Sequence, residues 1–239
     1  MSNFLIIAHR GASGKYPENS LLAFRKAVDA GVKWLELDVH LAADGELMVI
    51  HDETLQRTTN GRGPVGSMTS AELRQLDIGQ GEQMPLLTEV LNLAAGRAKV
   101  NIELKGKGTA LPVAELISER IVTKCQQSED LLASSLYEEE LIEFAARLPQ
   151  VRVAPISEHP DQQIWQLAER LNAWSLHVAK ATVDQQLIAE AQRQKRKLLV
   201  YTVNDMAEVQ TLKALGVDGV FSDYPERLIG KQKEPFHDR

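Results

Sequence analysis

WLELDVHLA (residues 34–42) decides the fold, together with KVNIELK (residues 99–105). In both stretches apolar and polar residues alternate, which is typical of a β-strand whose two faces meet different surroundings. The apolar residues share one face, whereas Glu36, Asp38 and Glu103 lie on the other. Acidic side chains are rarely buried without a partner, so the pattern predicts strands whose polar face serves a functional site.

On both sides of these strands, apolar runs rich in Val, Ile and Leu alternate with amphipathic stretches. Strands are predicted at 4–9, 34–42, 99–105, 131–136, 151–156, 174–179, 197–204 and 218–224. Helices are predicted at 18–31, 86–96, 112–127, 137–148, 161–171, 183–195 and 205–215. About eight strand–helix units in a chain of this length predict a TIM (β/α)8 barrel with parallel strands. A doubly wound open sheet is the alternative, disfavoured because no Gly-rich nucleotide-binding turn follows the first strand.

The second strand is followed by a longer excursion before its helix. Asp44-Gly45 stands between two apolar runs, which is typical of a β-hairpin. Folding the chain about that turn places His51 roughly opposite Asp38.

The segment 53–85 is rich in Gly, Thr and polar residues. One short helix is predicted there, beginning at the capping-box sequence Thr69-Ser70-Ala71-Glu72. We interpret residues 1–239 as a single barrel domain, with 53–85 inserted over the barrel mouth.

Composition and charge exclude several classes of protein. A net charge of −6 argues against nucleic-acid binding, which usually needs a basic surface. The single cysteine, Cys125, allows no internal disulfide and fits a reducing compartment. The apolar run at 4–8 is too short for a signal peptide, and no stretch approaches the roughly 20 apolar residues of a membrane span. We therefore expect a cytoplasmic protein without stable membrane association, and its oligomeric state stays open.

The three acidic residues on the strand faces indicate a metal site. Glu36, Asp38 and Glu103 would repel one another inside a barrel unless something positive compensates. Converging carboxylates suit one hard divalent cation, Mg²⁺ or Ca²⁺. The alternatives are that these faces are exposed, or that Arg10 and Lys105 neutralise the acids structurally.

Two histidines end predicted strands at the same mouth. His9 and Arg10 close the first strand, and the hairpin brings His51 near the carboxylates. Two histidines can serve as general base and general acid, while an Arg fork suits a phosphate. The run Glu138-Glu139-Glu140 begins a helix and is interpreted as a solvated face.

Short motifs in a specific order extend this set along nearly the whole chain. They are His9-Arg10-Gly11, Pro17-Glu18-Asn19-Ser20, Glu36-Leu37-Asp38-Val39, Asp44-Gly45, His51-Asp52, Arg57-Thr58-Thr59, Pro85-Leu86-Leu87-Thr88-Glu89, Glu103-Leu104-Lys105, Thr202-Val203-Asn204 and Gly219-Val220-Phe221-Ser222-Asp223-Tyr224-Pro225. In this order the sequence resembles the glycerophosphodiester phosphodiesterase family, most of all its cytosolic enterobacterial members. One departure is Tyr201, where the family often has Trp, and it bears only on the glycerol pocket.

The resemblance implies a role for each residue of the site. The catalytic acid–base pair would be His9 and His51, and the metal ligands Glu36, Asp38 and Glu103. Arg10 and Lys105 would contact the phosphate, Asn19 would support the first loop, and Asn204 would contact the substrate. His177 is a further candidate substrate contact by its position at the end of the sixth strand, with a hydrogen-bonded structural role as an equal alternative.

The resemblance also implies the reaction. A divalent cation would assist hydrolysis of a glycerophosphodiester, a small-molecule substrate, to sn-glycerol 3-phosphate and an alcohol. The nucleophile would be water or the neighbouring glycerol 2-hydroxyl. Two rival interpretations are a non-catalytic phosphodiester-binding barrel and a related enzyme that acts on larger lipids, such as a lysophospholipase D.

Overall fold

Eight parallel strands close into a barrel in the computed structural model, which describes residues 4–229. The strands are β1 Leu5–His9, β2 Trp34–Leu41, β3 Leu47–Val49, β4 Lys99–Leu104, β5 Leu131–Ser135, β6 Arg152–Ser157, β7 Ser175–Ala179, β8 Lys197–Tyr201 and β9 Gly219–Ser222. Strand β3 pairs antiparallel with β2, and the others are parallel. Since β1 pairs with both β2 and β9, the sheet is closed, and the predicted TIM barrel is confirmed against the open-sheet alternative. The ends of the predicted domain, 1–3 and 230–239, lie outside the described residues.

Helices follow the barrel strands. They are α1 Leu21–Asp29, α2 Ser70–Leu73, α3 Leu87–Ala94, α4 Ala110–Val122, α5 Glu138–Arg147, α6 Gln162–Arg170, α7 Gln185–Arg193, α8 Met206–Leu215 and α9 Pro225–Ile229. Over the described range 4–229, no helix has the length and apolar character needed to cross a membrane.

Side chains alternate between the two faces of each strand, as the sequence predicts. The apolar core therefore has an outer part between the strands and the helices and an inner part inside the barrel. Leu35 and Leu37 of β2 are fully buried in the cluster that also holds apolar residues of α1, α3 and α4. Inside the barrel, Trp34 stacks on Trp174 with ring centroids 5.5 Å apart, at the end where the strands begin. Glu36 follows Trp34 on the same face of β2. The acidic residues therefore lie nearer to the C-terminal ends of the strands than this apolar layer.

The hairpin predicted at Asp44-Gly45 is confirmed. Val49 lies opposite Val39, and the Ile50 amide donates to the Asp38 carbonyl at 3.1 Å. His51 therefore follows the residue opposite Asp38, close to the expected position.

The segment after the hairpin has its own apolar cluster and is tied to the barrel by polar contacts. The cluster contains Ala42, Met48, Ile50, Leu55, Val65, Leu73, Ile78 and Met84. The predicted capping box is present, because Thr69 accepts from the Glu72 amide and the Glu72 carboxylate accepts from the Thr69 amide. A Glu82 carboxylate oxygen accepts from the Leu22 amide at 3.0 Å, at the positive end of α1. These contacts fix the segment that follows His51.

The expectation of a solvated acidic run holds for Glu138 and Glu139, which are exposed, but is wrong for the third residue. Glu140 is buried rather than solvated, and its carboxylate accepts hydrogen bonds from the Gly108 and Ala110 amides at the start of α4. An anion is stabilised there by the unpaired amides of the helix end. Glu140 thus holds the loop that follows the functional end of β4.

Candidate active site

A cavity of about 210 Å³ opens at the end of the barrel where the strands finish. Its walls are formed by His9, Arg10, Glu36, His51, Asn101, Glu103, Lys105, Leu136, Ile156, Glu158, His177, Tyr201, Thr202 and Phe221. Most of the predicted site residues line it; Asp38, Asn19 and Asn204 do not. The functional face of a TIM barrel is this end, where loops after the strands meet.

A second, wider groove of about 970 Å³ runs between α6 and α7. Among its described lining residues, no histidine is hydrogen-bonded to a carboxylate and no set of metal-ligating side chains converges. We therefore place the candidate site in the smaller cavity.

Strand register brings the three predicted carboxylates together. Asp38 of β2 lies beside Glu103 of β4, and Glu36 lies beside His9 of β1. Each acid offers one carboxylate oxygen, and these oxygens all lie within 4.8 Å of one another. Glu36 and Asp38 are only 2% and 1% exposed, so their charges are largely removed from water.

Two cations partly balance these acids. The Arg10 amide donates to Glu36 at 2.9 Å, its side-chain Nε lies 3.3 Å from Asp38, and the Lys105 ammonium donates to Glu103 at 2.8 Å. Burial would raise the pKa of Asp38, but the charges of Arg10, His51 and Lys105 outweigh it and hold that pKa below its ordinary value. Burial raises the pKa of Glu36 well above its ordinary value, and the neighbouring carboxylates add to the effect. The three carboxylates are therefore only partly balanced, and the cluster favours binding of additional positive charge.

Two buried carboxylate oxygens in this cluster are available to bind a cation. Glu36 Oε1 and Asp38 Oδ1 accept no hydrogen bond from any described residue. Buried carboxylate oxygens are normally paired, and a hard divalent cation takes oxygen ligands of this kind. Arg10 and Lys105 donate no hydrogen bond to either of these two oxygens. The residues present fit a divalent cation.

His9 is held by a carboxylate from the far end of the chain. Its Nδ1 lies 2.7 Å from Asp223, which also accepts from Ser13 Oγ at 3.1 Å and Asn204 Nδ2 at 2.9 Å. Burial would raise the pKa of Asp223, but the hydrogen bonds from His9, Asn204 and Ser13 lower it to about 2. An ionised Asp223 fixes the proton on Nδ1 and leaves Nε2 available for chemistry.

His51 has a matching arrangement. Its Nδ1 lies 2.6 Å from Asp52, and the ring nitrogen Nε2 of His40 lies 3.0 Å from the His51 carbonyl. A hydrogen bond from Arg57 is the main cause that lowers the pKa of Asp52, so this carboxylate is also ionised. Burial lowers the pKa of His51, which favours the neutral imidazole.

Arg57 connects the pair formed by His51 and Asp52 to Arg10. Its guanidinium donates to Asp52 at 2.7 and 2.9 Å and to Glu18 at 2.8 Å through two nitrogens. Glu18 in turn accepts from Arg10 at 2.9 Å. A continuous chain of charge-assisted hydrogen bonds therefore runs from His51 to Arg10, and such bonds are short and directional.

Three predicted substrate contacts have other partners. Asn19 is 2% exposed and donates to Asp38 at 2.9 Å. Asn204 holds Asp223, because its Oδ1 accepts from the Asp223 amide at 2.8 Å while its Nδ2 donates to the carboxylate. His177 does line the cavity, with Ser175 Oγ 3.0 Å from its Nε2, and burial lowers its pKa to about 3. It is neutral at physiological pH.

Sequence reasoning assigned no role to Asp52, Asp223, Glu18 or Arg57. All four stand in the motifs quoted above, which was the available signal. Their partners depend on the closure of the barrel and on the hairpin segment.

Comparison with known proteins finds similarity to one family of phosphodiesterases. The model of the glycerophosphoryl diester phosphodiesterase family matches residues 9–227. A glycerophosphodiester phosphodiesterase of Caldanaerobacter subterraneus is 34% identical, over 94% of this chain and 96% of that protein. One from Bacillus altitudinis is also 34% identical, over 96% of this chain and 98% of that protein. The structure of an Oleispira antarctica phosphodiesterase with its product sn-glycerol-3-phosphate superposes with a TM-score of 0.90 at 31% identity, covering 96% of this chain and 97% of that chain.

Proposed function

The chain belongs to the glycerophosphoryl diester phosphodiesterase family, and on that premise we propose that it hydrolyses glycerophosphodiesters to sn-glycerol 3-phosphate and an alcohol. The observation that carries the proposal is the pair of histidines, each bound through Nδ1 to an aspartate, beside a carboxylate cluster in one cavity. Binding alone needs no acid–base pair, so this arrangement supports an enzyme over a non-catalytic barrel.

The size of the cavity supports a small diester as substrate. Pockets for drug-sized ligands range over about 300–1,000 Å³, and this one holds about 210 Å³. A deacylated head-group diester suits that volume better than a lipid that keeps its acyl chain.

Glu36, Asp38 and Glu103 would hold the divalent cation, with Mg²⁺ or Ca²⁺ favoured by an all-carboxylate set. When bound, it would supply Lewis-acid stabilisation of charge on the phosphoryl oxygens. Arg10 and Lys105 add fixed positive charge at the same wall, where they would orient the non-bridging oxygens. The acidic cluster thereby becomes a site for an anionic substrate.

The histidines would move the protons. With Nδ1 bound to Asp223 or Asp52, each imidazole has Nε2 free to accept or donate a proton. One would deprotonate the nucleophile and the other would protonate the departing alkoxide, a poor leaving group near neutral pH. The nucleophile would be water or the glycerol 2-hydroxyl, and full activity on a diester lacking that hydroxyl would exclude the second route.

A direct assay of the proposal measures glycerol 3-phosphate released from glycerophosphocholine. We expect His9→Ala and His51→Ala to lose about 10²–10⁴-fold in kcat, the usual worth of acid–base groups. His159→Ala is the matched control, because His159 is exposed and lies outside this cavity. Inactive wild-type protein would support the non-catalytic barrel, and an active His9→Ala variant would remove the acid–base assignment.

The cytoplasmic location and the special likeness to enterobacterial members stay predictions. So does the interpretation of 53–85 as an insertion within one catalytic domain.

A further inference from the structure

The wall of the cavity opposite the cations and metal ligands has a different composition. It is formed by Leu136, Ile156, Glu158, Tyr201 and Phe221, from the ends of β5, β6, β8 and β9. The proposed chemistry uses none of these side chains. They are available to contact the part of the substrate that lies beyond the phosphate.

Glu158 is the acid of this wall, and its surroundings differ from those of the other cavity acids. Glu36 and Glu103 are hydrogen-bonded by Arg10 and Lys105. Glu158 is exposed and forms no ion pair or side-chain hydrogen bond with any residue in the range 4–229. Its charge is therefore uncompensated within the described part of the chain.

Two other residues of this wall, Tyr201 and Leu136, determine the chemical character of the surroundings of Glu158. Burial and then the charges of Glu158 and Glu103 raise the pKa of Tyr201 to about 12, so the phenol is neutral near physiological pH. Leu136 lines the same cavity and is 43% exposed. A carboxylate, a neutral aromatic ring and an aliphatic side chain form the combination that binds alkylammonium groups, through charge attraction and cation–π contact.

We propose that Glu158, Tyr201 and Leu136 form a subsite for a positively charged alcohol, so that ethanolamine and choline diesters are preferred over glycerol and inositol diesters. The inference rests on the proposed function and adds a substrate class to it. Positive charge on the alcohol would face Glu158 while the phosphate faces Arg10 and Lys105. The two ends of the cavity then match the two charges of a zwitterionic diester.

A competing role for this wall is contact with the glycerol group, in which Glu158 would bind the hydroxyls and Tyr201 would line the glycerol pocket, as the family resemblance implies. Every glycerophosphodiester shares that glycerol group, so loss of the carboxylate would then affect all substrates equally. A subsite for the charged alcohol instead changes the ratio between substrates. The ratio therefore distinguishes the two roles and does not depend on the total amount of folded enzyme.

The experiment measures kcat/KM for glycerophosphoethanolamine, glycerophosphocholine, glycerophosphoglycerol and glycerophosphoinositol. For Glu158→Gln we expect the ratio of cationic to uncharged diesters to fall about 2–5-fold, as for an exposed charge pair. Glu158→Lys should lower it further, and about 0.5 M salt should compress the wild-type ratio. Glu115→Gln, at an exposed position of α4, is the control and should keep the wild-type ratio.

Three results would overturn the inference. They are a wild-type enzyme without preference for cationic diesters, an unchanged ratio in Glu158→Gln, and an equal loss on all four substrates. In each case hydrolysis itself would stand. A wild-type enzyme that cleaves none of the four would instead refute the proposed function, and the subsite with it.

Discussion

Replacing Asp223 by Asn changes how His9 is prepared for catalysis while keeping the size of the side chain. The aspartate accepts hydrogen bonds from His9, Ser13 and Asn204 at distances of 2.7–3.1 Å. Its pKa of about 2 keeps it ionised at neutral pH, so His9 carries a proton on Nδ1. The free Nε2 can then act as a base.

The direction of the effect follows from these contacts. Asn204 Nδ2 is a donor and requires the amide oxygen of the new Asn, which turns the amide nitrogen toward His9. The amide would donate to Nδ1 and leave the proton on Nε2, the wrong tautomer for a base. Loss of tautomer and orientation should lower kcat by about 10²–10⁴-fold. The KM should change by less than about threefold, because the phosphate contacts are untouched.

Steady-state kinetics on glycerophosphocholine, with thermal unfolding as a check on folding, measure the effect. Asp184→Asn is the matched control, since Asp184 caps α7 through the Leu187 amide and Asn is an equally good N-cap. A folded Asp223→Asn enzyme with wild-type kcat would show that the aspartate does not prepare His9.

Three further predictions concern Arg57, the divalent cation and His177. Lys in place of Arg57 cannot bind Asp52 and Glu18 in two bidentate pairs, so kcat/KM of Arg57→Lys should fall about 10-fold or more, mainly through kcat. Wild-type kinetics in this variant would exclude a role for Arg57 in connecting Asp52 to Glu18. Removal of divalent cations with EDTA should abolish turnover and added Mg²⁺ or Ca²⁺ should restore it, whereas undiminished activity of metal-free enzyme would refute the carboxylate site. His177 has a pKa of about 3 against an ordinary 6.5, so the unfolded chain binds more protons in that range and stability falls as pH falls. Between pH 7 and 5 its share of the loss is about 2 kcal/mol, and chemical denaturation of His177→Gln should show a correspondingly smaller loss; an equal loss in both proteins would contradict the assignment.

The barrel and the carboxylate cluster could be predicted because each rests on local alternation. Glu36 and Asp38 share a strand face with period two, and Glu103 has the same place on its own strand. The hairpin at Asp44-Gly45 then limits where His51 can lie. Each of these inferences spans only a few residues and depends on the backbone geometry of strands and turns.

The residues that hold the histidines could not be predicted in this way. His9 and Asp223 are 214 positions apart, and only the pairing of β1 with β9 brings them together. The expected substrate contact of Asn204 was based on its motif, whereas the structure shows it binding Asp223. Glu140 looked solvent-facing because its role depends on the neighbouring helix α4. Contacts of this kind are set by tertiary register, which no local pattern contains.

Phosphorus NMR of glycerophosphocholine incubated with the purified protein and Mg²⁺ tests the central claim most directly, because it shows which phosphate ester is cleaved. We expect the diester resonance to be replaced by that of glycerol 3-phosphate, and His9→Ala to leave most of the diester uncleaved over the same time. Appearance of phosphocholine, or a diester that persists with the wild-type protein, would contradict it.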